Sequence, residues 1–163
     1  MKNLFKYLKF LAGSSNHHGV HSPFVYRYVT ECLYSKPRLH RKHKIDVLLR
    51  SIGYFSATRI LILGEQNALA SQICSQFQNL HFGEPPYDLI IAQKGKIGNL
   101  WPILEVCDKL HNDSLILVDA PHGEEAWEDL KAHPMVRVTL DLFYCGVVFL
   151  RKEQAEEHFK IRI

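Results

Sequence analysis

Asp119 and His122 stand close together just after the apolar run from Ser114 to Asp119 (SLILVD), a carboxylate and an imidazole within reach of one small substrate. Such a pair can act as a general base or contact a substrate, and the carboxyl end of a strand is where open α/β sheets place ligands. The structural alternative is an Asp at a helix N-terminus followed by a loop His. Five more histidines invite a metal reading: His17, His18 and His21 lie near one another, and His40 and His43 have H-x-x-H spacing. No cysteine or carboxylate cluster accompanies them, so they read as surface polar groups and no metal is expected. Arg38, Arg41, Lys42 and Lys44 could meet phosphates. Without a row of stacking aromatics they read as a solvated basic helix, with no specific nucleic-acid partner.

A further chemical candidate is the stretch Arg59 to Ser71 (RILILGEQNALAS), an apolar run that ends on Gly64 and passes straight into helix-type sequence. Glycine suits a tight strand-to-helix turn and lets a ligand approach the backbone, but fold geometry alone can also require it there.

The elements around these residues follow from periodicity. Leu4, Phe5, Leu8 and Leu11 share a helical face in residues 2–11, which predicts an amphipathic helix capping the domain or a second subunit. Ser22 and Pro23 offer an N-cap and first-turn residue for a helix carrying Phe24, Val25, Tyr28, Val29, Cys32 and Leu33. A third helix carries Ile45, Leu48, Leu49 and Ile52 and stops at Gly53. From Arg59 the pattern alternates: strand Ile60 to Leu63, helix Glu65 to Phe77, strand Tyr87 to Ala92, helix from Ile97 through Leu110, strand Ser114 to Asp119. A short helix, Glu124 to Ala132, precedes strands Val136 to Leu142 and Gly146 to Arg151, whose short connection forces an antiparallel pair. A charged helix from Glu153 to Phe159 closes the chain. Trp101 and Trp127 fall at helical spacing with apolar neighbours and read as core or interface. The fold class is therefore α/β: a doubly wound, mostly parallel sheet with a C-terminal antiparallel pair, residues 1–56 forming a helical segment packed on a core of residues 57–163.

Composition bounds the rest. The chain has 163 residues, enough for one compact domain, with 47% apolar and 11% aromatic residues and no repeat or low-complexity tract. Cys32, Cys74, Cys107 and Cys145 are far apart with no C-x-x-C pair, which predicts reduced, buried thiols in a cytoplasmic protein. Lys6 and Lys9 interrupt the apolar N-terminus, and no run approaches the roughly 20 residues of a membrane span. The net charge of +3 hides an asymmetry: residues 1–44 carry nine Lys or Arg against Glu31 alone. That segment carries a net +8 and the remainder −5, and its expected partner is the acidic surface of the chain's own body.

The segment His18 to Phe24 (HGVHSPF), the strands RILILG, YDLIIA and SLILVD, and the ending from Asp141 to Ile163 together resemble the class I S-adenosylmethionine-dependent methyltransferases, nearest to bacterial O-methyltransferase-like members. That resemblance implies a Rossmann-like fold and methyl transfer from S-adenosylmethionine to an unidentified small acceptor. It implies cofactor contacts at Gly64, Glu65 and Ala68, a ribose-holding acid at Glu84 from a remnant strand Leu80 to Phe82, and chemistry at Asp119 and His122. Laid on the family's E-x-G-x-G-x-G pattern, the informative positions read Ile62, Gly64, Gln66 and Ala68, of which Gly64 alone matches. Too few residues separate the first strand from Tyr87 for a full second strand, helix and third strand. Gln93 and Asp119-Ala120 stand where related enzymes carry metal-binding carboxylates, which argues against a divalent ion. The alternative is a non-catalytic scaffold that associates through its N-terminal helices or a sheet edge, as a homo-oligomer or with another protein.

Overall fold

The structure is a computed structural model and describes residues 2–16, 19–106, 108–121 and 124–163. Helices α1 (Lys2–Gly13), α2 (Pro23–Arg27) and α3 (His43–Phe55) precede strand β1 (Arg59–Leu63), helix α4 (Asn67–Cys74), and strands β2 (His81–Phe82) and β3 (Tyr87–Ala92). Helix α5 (Trp101–Leu104), strand β4 (Leu110–Asp119), helix α6 (Glu125–Lys131) and strands β5 (Val138–Asp141), β6 (Cys145–Phe149) and β7 (Glu157–Lys160) follow. The seven strands form one mixed sheet in the order β2-β1-β3-β4-β6-β5-β7. Strands β2, β1, β3 and β4 are mutually parallel, β6 runs antiparallel between β4 and β5, and β7 lies parallel to β5. The class is α/β.

Alternation along the strands divides the core into two layers. Ile60, Ile62, Leu89, Ile91, Leu115, Leu117, Val147 and Phe149 face α2, α3 and α4, joining Val25, Val29, Leu48, Ile52 and Ile73. Ile90, Ala92, Ile116, Val118 and Val148 face the other way, against Leu100, Leu104, Trp127 and Leu130. Because residues 89–92 of β3 and 115–118 of β4 are covered on both faces, those stretches are continuous apolar runs. Phe149, 2% exposed, anchors the first layer with edge-on contacts to Phe24 and Tyr28. Burying such a side chain contributes about 1.5–3 kcal/mol. On the second layer Trp127 lies directly over Gly146, where an added Cβ would come within 2.6 Å of the ring.

Local signals read from the sequence hold at several ends. Ser22 caps α2, accepting the Val25 N–H on Oγ, and its hydroxyl donates to Gln154 Oε1, joining the N-terminal helical region to the C-terminal segment. His18, the first residue of HGVHSPF, lies outside the described residues, as do His17 and Cys107. The short strand expected at Leu80 to Phe82 is present as β2, His81–Phe82, paired with the start of β1.

Elsewhere the structure corrects the reading. The helix of α2 passes into a π-helical stretch, Tyr28–Leu33. Helix α3 runs past Gly53 and ends at Ser56, whose backbone is left-handed (φ 52°) while Ala57 N–H reaches Ile52 O. The helix after β1 covers only Asn67–Cys74. The helix expected through Leu110 is a 3-10 turn, Ile97–Leu100, followed by α5, and Leu110 opens β4 opposite Tyr87. The expected C-terminal helix contains a strand instead: Phe159 and Ile161 turn inward while His158 and Lys160 face out, a period of two that a helix cannot satisfy. Cys74 is exposed, whereas Cys32 and Cys145 are buried.

The N-terminal helix differs most. It docks through Tyr7 and Phe10, whose rings meet Phe143 at 4.9 and 5.4 Å, and Leu4, Phe5 and Leu8 point outward. The apolar spacing was sufficient for a helix, but two aromatics on another face made the better contact with the β5–β6 turn.

Candidate functional site

Beyond the carboxyl ends of β1, β3 and β4 lies a cavity of about 420 Å³. Its floor is Ile91, Leu117 and Cys145, one wall is Ala68, Leu69 and Gln72 of α4, and another is Lys44, Ile45 and Leu48 of α3. Glu65, Gln93, Lys94, Lys42 and Asp119 supply its charged and polar rim. A second hollow of about 840 Å³ continues from it, sharing Lys42, Lys44, Lys94 and Asp119 and bounded by Leu4, Lys6, Tyr7, His43, Ala120, Phe143 and Tyr144.

The segment that delivers the lysines is held by a buried ion pair. Arg50 Nε donates to Asp46 Oδ2 at 2.8 Å, one helical turn away on α3. The remaining guanidinium nitrogens donate to the carbonyls of Cys32, Ser35 and Pro37, and Asp46 Oδ1 accepts the N–H groups of Leu39 and His40. Arg38 to Lys42 are thereby fixed as an irregular segment, not the basic helix their composition predicts. The two histidines of the H-x-x-H pair take separate partners. His40 Nε2 lies 2.8 Å from Gln72 Nε2, and His43 stacks on Tyr144 with ring centres 5.0 Å apart. Burial, followed by the nearby charge of Arg38, lowers the pKa of His43 below the ordinary imidazole value. Among the described residues no three His, Cys, Asp or Glu side chains are grouped to hold a metal.

Asp119 ends β4 on the rim of both hollows, and Lys44 Nζ donates to its Oδ2 at 2.5 Å. The chain then turns through Ala120 (φ 50°), whose N–H is held by Tyr144 O. His122 lies outside the described residues, so its expected partnership with Asp119 has no described geometry. Asp119 sits across the β4–β6 pair from Cys145. Burial raises the Cys145 thiol pKa well above its ordinary value, and the charges of Asp119 and Asp141 add to that effect, so it is a neutral wall of the cavity.

The glycine turn is closed by the protein itself. Gly64 has φ +134°, and a Cβ there would come within 2.2 Å of Gln93 Oε1 and 2.9 Å of Gln93 Cβ. Gln93, one residue past β3, folds its carboxamide over the turn, accepting Glu65 N–H on Oε1 and donating from Nε2 to Glu65 O. In the sequence Gln93 reads only as a missing carboxylate; its clamping role depends on the parallel pairing of β1 and β3, which no local signal carries. Glu65 and Ala68 line the cavity. Glu84 does not: β2 pairs with Arg59 and Ile60 at the opposite end of β1, and Glu84 is exposed beside His81.

These features define a mixed-sheet α/β protein with a lysine-rimmed cavity at the carboxyl ends of its parallel strands. No protein-family model matches the chain, and no curated protein or solved structure shows significant similarity to it.

Proposed function

We propose that the protein is a Rossmann-like, methyltransferase-derived domain that holds a small ligand in the cavity beyond β1, β3 and β4 and does not seat S-adenosylmethionine in the pose the sequence resemblance implies. The Gln93 clamp carries this reading. A cofactor using the glycine turn needs the open space above Gly64 and the Glu65 backbone, and both are taken by the carboxamide of Gln93. Displacing that side chain would break both of its hydrogen bonds to the Glu65 backbone. The ribose lacks its usual holder as well, since Glu84 lies at the far end of β1. The residues present thus do not suit S-adenosylmethionine in that pose. The position of the cavity supports a ligand-binding role, and its volume falls within the common range of small-molecule sites.

Methyl transfer is the second reading, favoured by one observation: Asp119 reaches the rim of the same cavity with Oδ2 already held by Lys44, leaving a fixed carboxylate beside any acceptor. Calorimetric titration with S-adenosylmethionine and S-adenosylhomocysteine separates the two. The expected result is no binding at millimolar ligand. Micromolar binding to the unaltered chain would overturn the first reading and restore the enzyme.

A further inference from the structure

We propose that α1 is an interfacial helix that docks the protein on an anionic lipid bilayer. Leu4, Phe5 and Leu8 are 63%, 74% and 54% exposed, although they form the most apolar stripe of the helix. The helix does not need that stripe to hold to its own body, because Tyr7 and Phe10 already anchor it to Phe143. At 100° per residue, Lys6 and Lys9 border the stripe on the Phe5 side. The positive border continues onto the body, where Lys6 shares the larger hollow with Lys42, Lys94 and Lys44, and Asp119, paired with Lys44, is the one carboxylate lining it among the described residues. No acidic residue occurs before Glu31. A protruding apolar ridge edged by lysines matches the boundary between acyl chains and anionic headgroups, where the side chains insert and the ammonium groups stay in the headgroup layer.

A second copy of the chain is a poorer occupant. Paired α1 helices would bring lysines together with no acid to offset them. Three side chains also supply a few hundred Å², well below the roughly 800 Å² per partner of a stable interface. No described helix is long and apolar enough to cross a membrane, so the contact lies on one leaflet.

The test is flotation of the full chain with vesicles of phosphatidylcholine alone or mixed equally with phosphatidylglycerol. Binding is expected to the anionic vesicles, falling at least tenfold in Phe5→Ser/Leu8→Ser and in Lys6→Gln/Lys9→Gln, and on raising salt from about 0.05 to 0.5 M. Both variants change exposed side chains, and unchanged thermal melts would confirm that each remains folded. The proposal is overturned if the native chain does not float with anionic vesicles, or if the variants float equally well. It is also overturned if the chain is a dimer in solution that Phe5→Ser/Leu8→Ser converts to a monomer, which would assign the face to a second copy.

Discussion

Gln93 and Glu65, brought together by the parallel pairing of β1 and β3, exchange two hydrogen bonds of 2.7 Å: the Gln93 carboxamide accepts the Glu65 N–H and donates to the Glu65 carbonyl. The side chain thereby treats one residue of the turn as a neighbouring strand would. The space for it exists because residue 64 has no Cβ. The glycine that first suggests a cofactor is, in the folded chain, the seat of an internal clamp.

Gly64→Ala is expected to destabilise the protein by about 2–4 kcal/mol in urea unfolding, from the combined cost of a positive φ and a displaced Gln93. Adding Gln93→Ala removes the carboxamide part of the clash but leaves the Cβ of residue 93, 2.9 Å from the new methyl group, and the backbone strain. The double variant should therefore recover stability relative to the sum of the two single changes. Strict additivity would show that the two residues do not interact.

Asp46→Ala leaves Arg50 buried without its carboxylate and should cost about 3–5 kcal/mol. The loss should extend beyond α3, because Asp46 Oδ1 also holds the N–H groups of Leu39 and His40. Hydrogen exchange at those two amides is expected to accelerate under native conditions in a milder variant, Asp46→Asn. Unchanged protection there would contradict the assigned role.

Gly146→Ala should disturb Trp127, whose ring would lie 2.6 Å from the new methyl group. A loss of about 1–3 kcal/mol is expected, the usual cost of overpacking, with a change in tryptophan fluorescence. Trp127→Leu should make the alanine at position 146 much less harmful, and a cycle of the four proteins measures that relief.

Stability should decline at both ends of the pH scale for identifiable reasons. Burial acts to raise the pKa of Asp88, but the N–H groups of Arg59 and Thr58 and the side chain of His111 outweigh it and hold the group below its ordinary value. A depressed carboxylate contributes stability above its unfolded pKa, lost as pH falls through the folded value. Asp88→Asn should flatten the unfolding free energy below about pH 4. At the alkaline end, burial raises the pKa of Tyr28, Cys32 and Cys145, with Cys32 reaching about 12. These groups ionise first in the unfolded chain, so their contribution is intact below about pH 8.5 and erodes above it. A thiol reagent at neutral pH should accordingly modify Cys74 in the native protein and reach Cys32 and Cys145 only on unfolding, as peptide mass mapping can show.

The sequence by itself determined the local elements whose signals are carried by neighbouring residues. The continuous apolar runs at Ile60 to Leu63, Tyr87 to Ala92 and Ser114 to Asp119 could be buried on both sides only as inner strands, and Ser22-Pro23 specified a helix start. Short range also made Asp119 legible as a group at the end of a central strand. What tertiary structure decided was partnership. Glu157 to Lys160 became a strand because β5 offered an edge, and Leu4, Phe5 and Leu8 are exposed because α1 packs on Phe143 through Tyr7 and Phe10. Gln93 reached Glu65 and Lys44 reached Asp119 across 28 and 75 residues of chain. Periodicity and capping act over a few residues and can be read from order alone. Which side chain fills the space above a glycine depends on strands that order alone does not place side by side.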